Sequence, residues 1–462
     1  MSDRYASGDP HLDAILGGGL PRNAVNLIIG LPGSGKTILA EQYTFHNATE
    51  QHPALYLSTV SEPLEKLLRY GQSLDFFDVD AIGTRVFFDD LGQALNTGGL
   101  DAVLTRVREL IMQRRPGLIT IDSFKALSAF APDAPSFRRF LHDLAGTLSA
   151  FPATSFWVGE YEDHEIGTAP EFAVADGIIS LSTHRVSERA IRHLEVRKLR
   201  GTGFMTGQHA YRIESDGLHV YPRLAESSPS APYELQSERI SSGIPALDAM
   251  LADGYWPGAS TLVAGPSGSG KTLMGLHFVF NGAVAGEPGI IATLQENPTQ
   301  LNRITTGYGW SLPFESVELM YRSPVDLYLE EWFYALIETI DRTGARRVLI
   351  DSLHDLRRAA IDEVRFREYL YSLLQRCTNQ QVSLMMTLET PDLYGTSTIS
   401  DDGVTHLSDN VILLEFVRDR ARLQRAITVL KTRASRHEPE IREFKISPDG
   451  IALGDPLTQR SR

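Results

Sequence analysis

Cysteine is almost absent from this chain: Cys377 is the only one among 462 residues, which excludes an internal disulfide and a metal site built from several cysteines. Apolar runs stay well short of the ~18 residues of a membrane-spanning helix, and the first residues lack the apolar core of a secretion signal. Basic residues are in the minority, 44 against 58 acidic ones, and the net charge of −14 repels nucleic acid and anionic membranes. We therefore expect a cytoplasmic protein without membrane or nucleic-acid partners.

Two glycine-rich segments, 30–37 and 265–272, fit the pattern G-x-x-x-x-G-K-[ST]. In this pattern the backbone N–H groups surround phosphates, the lysine reaches the β- and γ-phosphates, and the threonine hydroxyl takes a Mg²⁺ position. Each segment follows a strand-like run and precedes a helical pattern, whose positive N-terminus would face the anion. The sequence therefore predicts two sites for a nucleoside triphosphate. The predicted phosphate-binding residues are Gly33, Ser34, Gly35, Lys36 and Thr37, and Gly268, Ser269, Gly270, Lys271 and Thr272.

These loops belong to an internal repeat, because five landmarks recur in the same order 229 to 238 residues later. They are Ser-Gly-x₃-Leu-Asp at 7 and 242, the phosphate loops, Tyr-Gly-x-Ser-Leu at 70 and 308, an apolar run ending in Asp-Ser at 122 and 351, and Val-x-Lys-x-Arg at 196 and 429. The stretch between the halves is rich in serine, proline and alanine, as is typical of a linker. We predict a first domain over 1–223, a linker over 224–235, a second domain over 236–450 and a short tail over 451–462.

Within each half, short β-type runs alternate with helical patterns, for example 54–59 followed by 64–68. This alternation predicts an α/β fold with a mainly parallel sheet and helices on both faces. The order of the strands does not follow from the pattern.

An aspartate followed by serine ends a short apolar run in each half, at Asp122 and Asp351. The carboxyl end of a buried parallel strand is where α/β folds place their ligands. Such an aspartate can instead cap the next helix, but a phosphate loop upstream in both halves favours a Mg²⁺ ligand beside Thr37 and Thr272.

Hydrolysis also requires a group that orients or deprotonates the attacking water. Glu62 and Glu296 follow the strand after the first helix of each half and are the candidates. The alternative is a solvated glutamate in the first turn of the next helix, where acidic residues are favoured by the helix dipole. The residues alone leave both interpretations open.

Basic pairs recur late in each half, Lys198 with Arg200 and Lys431 with Arg433, on runs whose alternation puts both side chains on one face. Their distance in sequence from the phosphate loops suggests charges supplied to the γ-phosphate of a neighbouring subunit, as arginine fingers do in trans. The alternative is a strand edge protected by charge. Duplication of the pair favours the functional interpretation.

Taken together, these motifs, with Tyr-Gly-Trp-Ser at 308–311, Lys-Leu-Arg-Gly-Thr at 198–202 and Ser-Asp-Asn-Val-Ile-Leu-Leu at 408–414, resemble the KaiC family over about residues 5–450. KaiC proteins are the tandem RecA-like ATPases of the cyanobacterial clock and their relatives in other bacteria and archaea. The resemblance implies two stacked rings of a homohexamer, with ATP and Mg²⁺ held between subunits and the basic pairs acting in trans. It also implies that Leu199 and Thr202 contribute to the nucleotide site and that Trp310 lies beside adenine, where the first domain has Gln72.

The chain departs from the family at the residues that carry the chemistry. The family has adjacent glutamates where this chain has Ser61-Glu62 and Gln295-Glu296, so one acid remains in each half. Clock-type members phosphorylate a Ser-Thr pair that corresponds here to Thr405-His406, and the base for that step corresponds to Gln295. The extension to which the clock's kinase activator binds has little counterpart, since twelve residues follow Gly450. A two-site phosphorylation clock is therefore not expected.

Three hypotheses follow. The main one is a double-ring ATPase whose nucleotide state sets its conformation and the binding of a protein partner that the sequence does not identify. The second is a Ser/Thr autokinase that uses Thr405 or a nearby hydroxyl, Ser397, Thr398 or Ser408. The third is a RecA-like module that binds nucleic acid, which the net charge of −14 and the absence of basic–aromatic runs oppose.

Overall fold

The computed structural model describes residues 4–59, 64–186, 189–224, 238–310, 316–325, 327–360, 363–390, 404–419, 422–433 and 435–457. The chain divides into two compact units, Met1–Arg223 and Leu224–Arg462, and each contains a nine-stranded sheet. The linker predicted over 224–235 lies outside the described residues except for Leu224, which packs against the core of the second unit. Among the described helices, none combines the length and apolar character that a membrane crossing requires.

The first unit contains β1 (Arg4–Tyr5), α1 (Pro10–Ile15), β2 (Leu20–Pro21), β3 (Val25–Gly30), α2 (Lys36–Asn47), β4 (Ala54–Ser58), α3 (Leu64–Gly71), β5 (Val86–Asp90), α4 (Gly92–Arg114), β6 (Leu118–Asp122), α5 (Ala134–Ser149), β7 (Thr154–Gly159), α6 (Glu171–Val174), β8 (Gly177–Val186), β9 (Arg189–Leu199), β10 (Gln208–Glu214) and β11 (Gly217–Tyr221). Helix α4 is interrupted at Gly98 and Gly99, whose backbone angles are not helical.

The second unit contains α7 (Pro245–Met250), β12 (Ser260–Gly265), α8 (Lys271–Val284), β13 (Gly289–Thr293), α9 (Pro298–Gly307), β14 (Val317–Tyr321), α10 (Leu329–Thr343), β15 (Arg347–Asp351), α11 (Leu353–Ala359), α12 (Glu363–Asn379), β16 (Ser383–Glu389), α13 (Val404–Leu407), β17 (Asn410–Asp419), β18 (Arg422–Thr432), β19 (Arg442–Ser447) and β20 (Gly450–Pro456).

The two sheets have the same topology. The first runs β5-β4-β6-β7-β3-β8-β9-β10-β11 and the second runs β14-β13-β15-β16-β12-β17-β18-β19-β20. The strands from β5 to β8, and from β14 to β17, are parallel, and the last three strands of each sheet are antiparallel. The predicted α/β fold of two RecA-like units is therefore confirmed.

The central strand of each sheet is buried on both faces because helices cover both sides. In β3, Leu27 and Ile29 belong to one hydrophobic cluster and Ile28 belongs to another, as the two-residue period of a strand requires. In β12, Val263 and Leu262 divide in the same way. This double burial produces the continuous apolar runs that precede the glycine-rich loops in the sequence.

The end of the second unit differs from the prediction, which assigned 451–462 to a tail. Residues 451–456 belong to β20, which pairs with β19 in an antiparallel hairpin, and Ile451 is buried. The turn between them ends at Gly450, whose φ of 103° favours glycine. A larger residue would also not fit here, because a Cβ atom at position 450 would lie 2.4 Å from the ring of His277.

The repeated Ser-Gly-x₃-Leu-Asp motif has a structural role in both units. The backbone N–H groups of Ser7 and Ser242 donate to Oδ1 of Asp13 and Asp248, each at 2.7 Å. These bonds close the loop before α1 and α7. The motif therefore shapes the start of each unit and lies outside the chemistry of the site.

Candidate nucleotide-binding sites

The glycine-rich loops lie at the carboxyl end of the central strand in each sheet. β3 ends at Gly30 and α2 begins at Lys36, while β12 ends at Gly265 and α8 begins at Lys271. The residues that precede the helices, Gly35 and Gly270, have left-handed φ values of 89° and 109°. In the first unit the loop borders a cavity of about 760 Å³, a size suited to a small organic ligand.

The polar groups of both loops fit a bound polyphosphate. Oγ of Ser34 and of Ser269 is buried and has no hydrogen-bond partner among the described residues. Nζ of Lys36 donates to the carbonyl oxygen of Leu31 at 2.9 Å, and Nζ of Lys271 donates to loop carbonyl oxygens at the same distance. Burial lowers the pKa of both lysines, so each amine would gain from an anionic partner.

The predicted magnesium ligands are adjacent in both units. Oγ1 of Thr37 donates to Oδ2 of Asp122 at 2.8 Å, and Oγ1 of Thr272 donates to Oδ2 of Asp351 at 2.6 Å. The hydroxyl of Tyr56 also donates to Oδ2 of Asp122 at 2.9 Å. Hydroxyl and carboxylate oxygens are the ligands that Mg²⁺ prefers, so this donor set fits the ion. Burial raises the pKa of Asp351. A positive charge close to this carboxyl group would oppose the shift, because it favours the ionised form.

Of the two acids predicted to position water, the structure describes only the one in the second unit. Glu62 lies outside the described residues. Glu296 follows β13, and its Oε2 is buried without a hydrogen-bond partner in the described part of the chain. Burial raises the pKa of Glu296, and the negative charge of Asp351 adds to the effect. The Glu296 carboxyl group is therefore close to the predicted metal ligand and has an oxygen available for a ligand.

Four residues near the phosphate loops were not identified from the sequence. Glu160 follows β7, and its Oε1 lies 3.9 Å from Nζ of Lys36. Glu389 ends β16 at the same repeat position and interacts electrostatically with Lys271. Arg192 of β9 borders the cavity, and Arg425 of β18 donates to the carbonyl oxygen of Gly268 at 3.2 Å. Comparing the two halves position by position would have found both pairs, because each occupies equivalent places in the repeat.

The basic pair lies at the amino-terminal ends of the parallel strands, whereas the phosphate loop follows their carboxyl-terminal ends. In this sense the two occupy opposite edges of the sheet. Lys198 pairs with Ile178 near the start of β8, and that start lies beside Asn26 of β3. The loop begins beyond Gly30, four residues further along β3, which is about 13 Å at 3.3 Å per residue. Nζ of Lys198 donates to the carbonyl oxygen of Phe172 at 3.2 Å. Within one unit, the pair is thus separated from the site that it was predicted to serve.

The second unit repeats this arrangement. Nζ of Lys431 donates to the carbonyl oxygens of Thr405 and Ser408, at 3.0 and 2.6 Å. Arg433 donates to the carbonyl oxygen of His406 at 2.6 Å and pairs with Asp409 at 3.4 Å. In the first unit, Arg200 pairs with Asp176 at 3.2 Å. Both pairs are therefore held by the short segment that precedes β8 or β17.

A family model described as ATPase: KaiC matches residues 6–225 and 240–458, which is nearly the whole chain. The chain belongs to the KaiC family. It is 29% identical to the circadian clock oscillator protein KaiC of Picosynechococcus sp. over 98% of this chain and 89% of that protein. It is 29% identical to the circadian clock protein KaiC3 of Synechocystis sp. over 98% and 92% of the two chains. For the circadian clock oscillator protein KaiC of Synechococcus elongatus, the identity is 28% over 97% and 89%.

The remaining residues that the KaiC resemblance implicated lie away from the phosphate loop of their own unit. Trp310 stacks on Phe280 with ring centroids 5.0 Å apart, and Phe280 is nine residues beyond Lys271 on α8, or about 13 Å along the helix. Leu199 is buried opposite Gly177, at the edge that carries the basic pair. At the same edge, Oγ1 of Thr202 accepts a hydrogen bond from Arg4 at 2.8 Å.

Proposed function

We propose that this KaiC-family chain hydrolyses ATP at both sites and that each site is completed by a neighbouring subunit in a double-ring hexamer. One observation carries the proposal: the phosphate loop and the basic pair occupy opposite edges of the same sheet in both units. A lysine or arginine side chain is too short to span that separation. Lys198 with Arg200, and Lys431 with Arg433, therefore cannot reach a γ-phosphate on the loop of their own unit, which favours action on a site in another copy of the chain.

The loop residues divide the work of binding and catalysis. Lys36 and Lys271, with the backbone N–H groups of their loops, would hold the phosphates. Thr37 with Asp122, and Thr272 with Asp351, would hold Mg²⁺. When bound, this ion neutralises charge that develops on the phosphate oxygens.

Water would be positioned by an acid that follows the second parallel strand of each unit, Glu62 or Glu296. The buried Oε2 of Glu296, which has no partner among the described residues, supports this role in the second unit. The role of Glu62 rests on its equivalent position in the repeat.

The hydrogen bonds of the basic pairs support a nucleotide-dependent switch. Lys431 and Arg433 bond to backbone carbonyl oxygens of α13 and the residue after it, and Lys198 bonds to α6. A neighbour's γ-phosphate would compete for the same cations. Exchange between these two sets of partners would move α6 or α13 with the nucleotide state, and a protein partner that recognises the ring would then sense that state.

Complementation between two inactive variants tests the proposal. One variant carries Lys36→Ala with Lys271→Ala, and the other replaces all four basic-pair residues by alanine. The two are co-expressed with different tags and purified through both tags, and each is also co-expressed with itself as a control. Action in trans predicts that the mixed assembly regains part of the ATPase activity, because some interfaces combine an intact loop with an intact pair. A mixed assembly as inactive as either control would contradict the proposal.

Transfer of phosphate to Thr405 is a second candidate, because Lys431 bonds directly to the Thr405 carbonyl group and so places this residue beside the pair that would meet the γ-phosphate. The test is the intact mass of the protein after incubation with Mg-ATP. A mass increase of one phosphate that disappears in Thr405→Ala would support an autokinase. An unchanged mass with accumulating ADP would contradict it. Ser408 remains an alternative acceptor, whereas Ser397 and Thr398 lie outside the described residues.

A further inference from the structure

The second site contains an amide–carboxylate contact beside Glu296. Nε2 of Gln295 donates to Oδ2 of Asp355 at 2.8 Å. Gln295 follows β13, and Asp355 lies in the first turn of α11, just after β15. These two strands are parallel neighbours, and Thr293 pairs with Asp351 at their carboxyl ends. The contact therefore lies at the edge of the sheet that carries the predicted magnesium ligand.

The carboxylate of Asp355 fixes the orientation of the Gln295 amide. An ionised carboxylate only accepts hydrogen bonds, so the NH₂ group of Gln295 must face it and the amide oxygen remains for another partner. Asp355 is itself held in place, because Oγ of Ser352 donates to the same Oδ2 atom at 2.7 Å. Without this contact, the two ends of the amide could exchange places.

An amide oxygen in this position can orient a water molecule but cannot remove its proton. Glutamine has this role in other phosphate-loop enzymes, where it orients the water that attacks the γ-phosphate. Glu296, the next residue, contributes a carboxylate oxygen that is buried and has no partner among the described residues. Adjacent residues thus each offer an oxygen that can accept a hydrogen bond.

The first unit cannot form this contact. The residues at the equivalent repeat positions are Ser61, in place of Gln295, and Ala126, in place of Asp355. Alanine has no group that could hold a neighbouring amide or hydroxyl. The arrangement therefore distinguishes the second site from the first.

We propose that Asp355 is a positioning residue of the second nucleotide site, where it holds Gln295 so that the amide oxygen orients the attacking water together with Glu296. This inference rests on the proposed hydrolysis of ATP at that site.

The test uses the full chain with Lys36→Ala, so that turnover reports on the second site alone. Asp355→Asn keeps the size of the side chain but can both donate and accept, and the Gln295 amide is no longer fixed. We expect kcat to fall by about tenfold, less than the roughly 100-fold or more that general acid–base catalysis contributes, because Glu296 would still contact the water. We expect KM for ATP to change little, because the hydrogen bonds described for Asp355 involve Gln295 and Ser352 and no residue of the phosphate loop. His354→Asn, on the exposed side of the same turn, is the matched control and should leave kcat unchanged.

A double-mutant cycle separates positioning from a structural role. Gln295→Ala should lower kcat about as much as Asp355→Asn, and combining the two should cause no further loss, since Asp355 acts through Gln295. Losses that multiply, or a fall in Tm that accounts for the lost activity, would overturn the inference. So would a Lys36→Ala protein that no longer hydrolyses ATP while the unmodified chain does. Absence of ADP production by the unmodified chain would instead overturn the proposed function.

Discussion

The two units share a sheet order, a phosphate loop and a threonine–aspartate pair, but they differ in the side chains that surround them. Gln295 and Asp355 of the second unit replace Ser61 and Ala126 of the first, and Trp310 replaces Gln72. The shared features are the backbone geometry of a phosphate loop and the threonine–aspartate pair that is predicted to hold Mg²⁺. The differences concern groups that would contact water or the base. The predicted phosphate loop and metal pair have thus been kept in both copies while the side chains around them diverged.

The largest expected effect separates the contributions of the two units to turnover. Lys36→Ala with Lys271→Ala should reduce ATP hydrolysis at least about 100-fold, because in the proposed mechanism each lysine places a positive charge beside the transferred phosphate. Lys36→Ala alone should retain the turnover of the second unit, and Lys271→Ala alone should retain that of the first. The difference between these two rates would measure how far the activities of the two units have diverged. ADP release is the measurement. Full activity in the double variant would contradict the assignment of both sites.

A smaller effect concerns the loop glycines. A Cβ atom at Gly35 would lie 2.6 Å from Cδ1 of Ile213, whereas one at Gly270 would lie 3.1 Å from Cδ1 of Ile446. Both substitutions by alanine also force a left-handed backbone, at a cost of about 1–2 kcal/mol. Gly35→Ala should therefore destabilise its unit more than Gly270→Ala does. Amide hydrogen exchange followed by peptide mass spectrometry measures the stability of each unit separately. Equal losses of protection in the two variants would contradict this prediction and would show that Ile213 moves to relieve the tighter contact.

The acids beside the loop lysines should behave alike in the two units. Glu160→Gln removes a carboxylate 3.9 Å from Nζ of Lys36, which competes with phosphate for the lysine and repels it. Because Glu160 is largely exposed, solvent screens this effect, and we expect ATP to bind only about threefold more tightly. Glu389→Gln should act in the same direction in the second unit. Nucleotide titration in singly disabled backgrounds measures both, and weaker binding would instead indicate that these acids help to hold the nucleotide.

The smallest effect distinguishes the units by pH. Nε2 of His277 accepts a hydrogen bond from the backbone N–H of Ile451 at 3.2 Å, as Oε1 of Gln42 accepts one from Leu218 at 2.8 Å in the first unit. Burial lowers the pKa of His277 from 6.5 to about 4. The unfolded chain therefore takes up a proton first, and the second unit should lose stability as the pH falls from 6.5 toward 4, while the contribution is complete above that range.

His277→Gln tests this difference by giving the second unit the acceptor of the first. Hydrogen exchange of the second unit between pH 7 and pH 4, corrected for intrinsic exchange rates, should then lose the part of its pH dependence that His277 causes. An unchanged pH dependence would show that other groups are responsible.

One error of the sequence analysis has a local cause. The hairpin at 442–456 was divided between a domain and a tail, because its short strands have no regular alternation and the last strand depends on pairing with β19. The adenine-side position implied for Trp310 stays a prediction, since its ring packs on α8 within its own unit. Packing against a distant helix has no signature in a short stretch of sequence.

By itself, the sequence determined the fold class, the duplication, both phosphate loops and the aspartates that meet their threonines. These features depend on residues that are close together in the sequence or on the repetition of a motif, and both can be recognised without the tertiary structure. Only the tertiary structure decided that Glu160 faces Lys36, that Asp355 holds Gln295, and that each basic pair lies at the far edge of its own sheet. Those relations depend on the order of strands in the sheet, and residues far apart in sequence meet there because separate strands pair side by side.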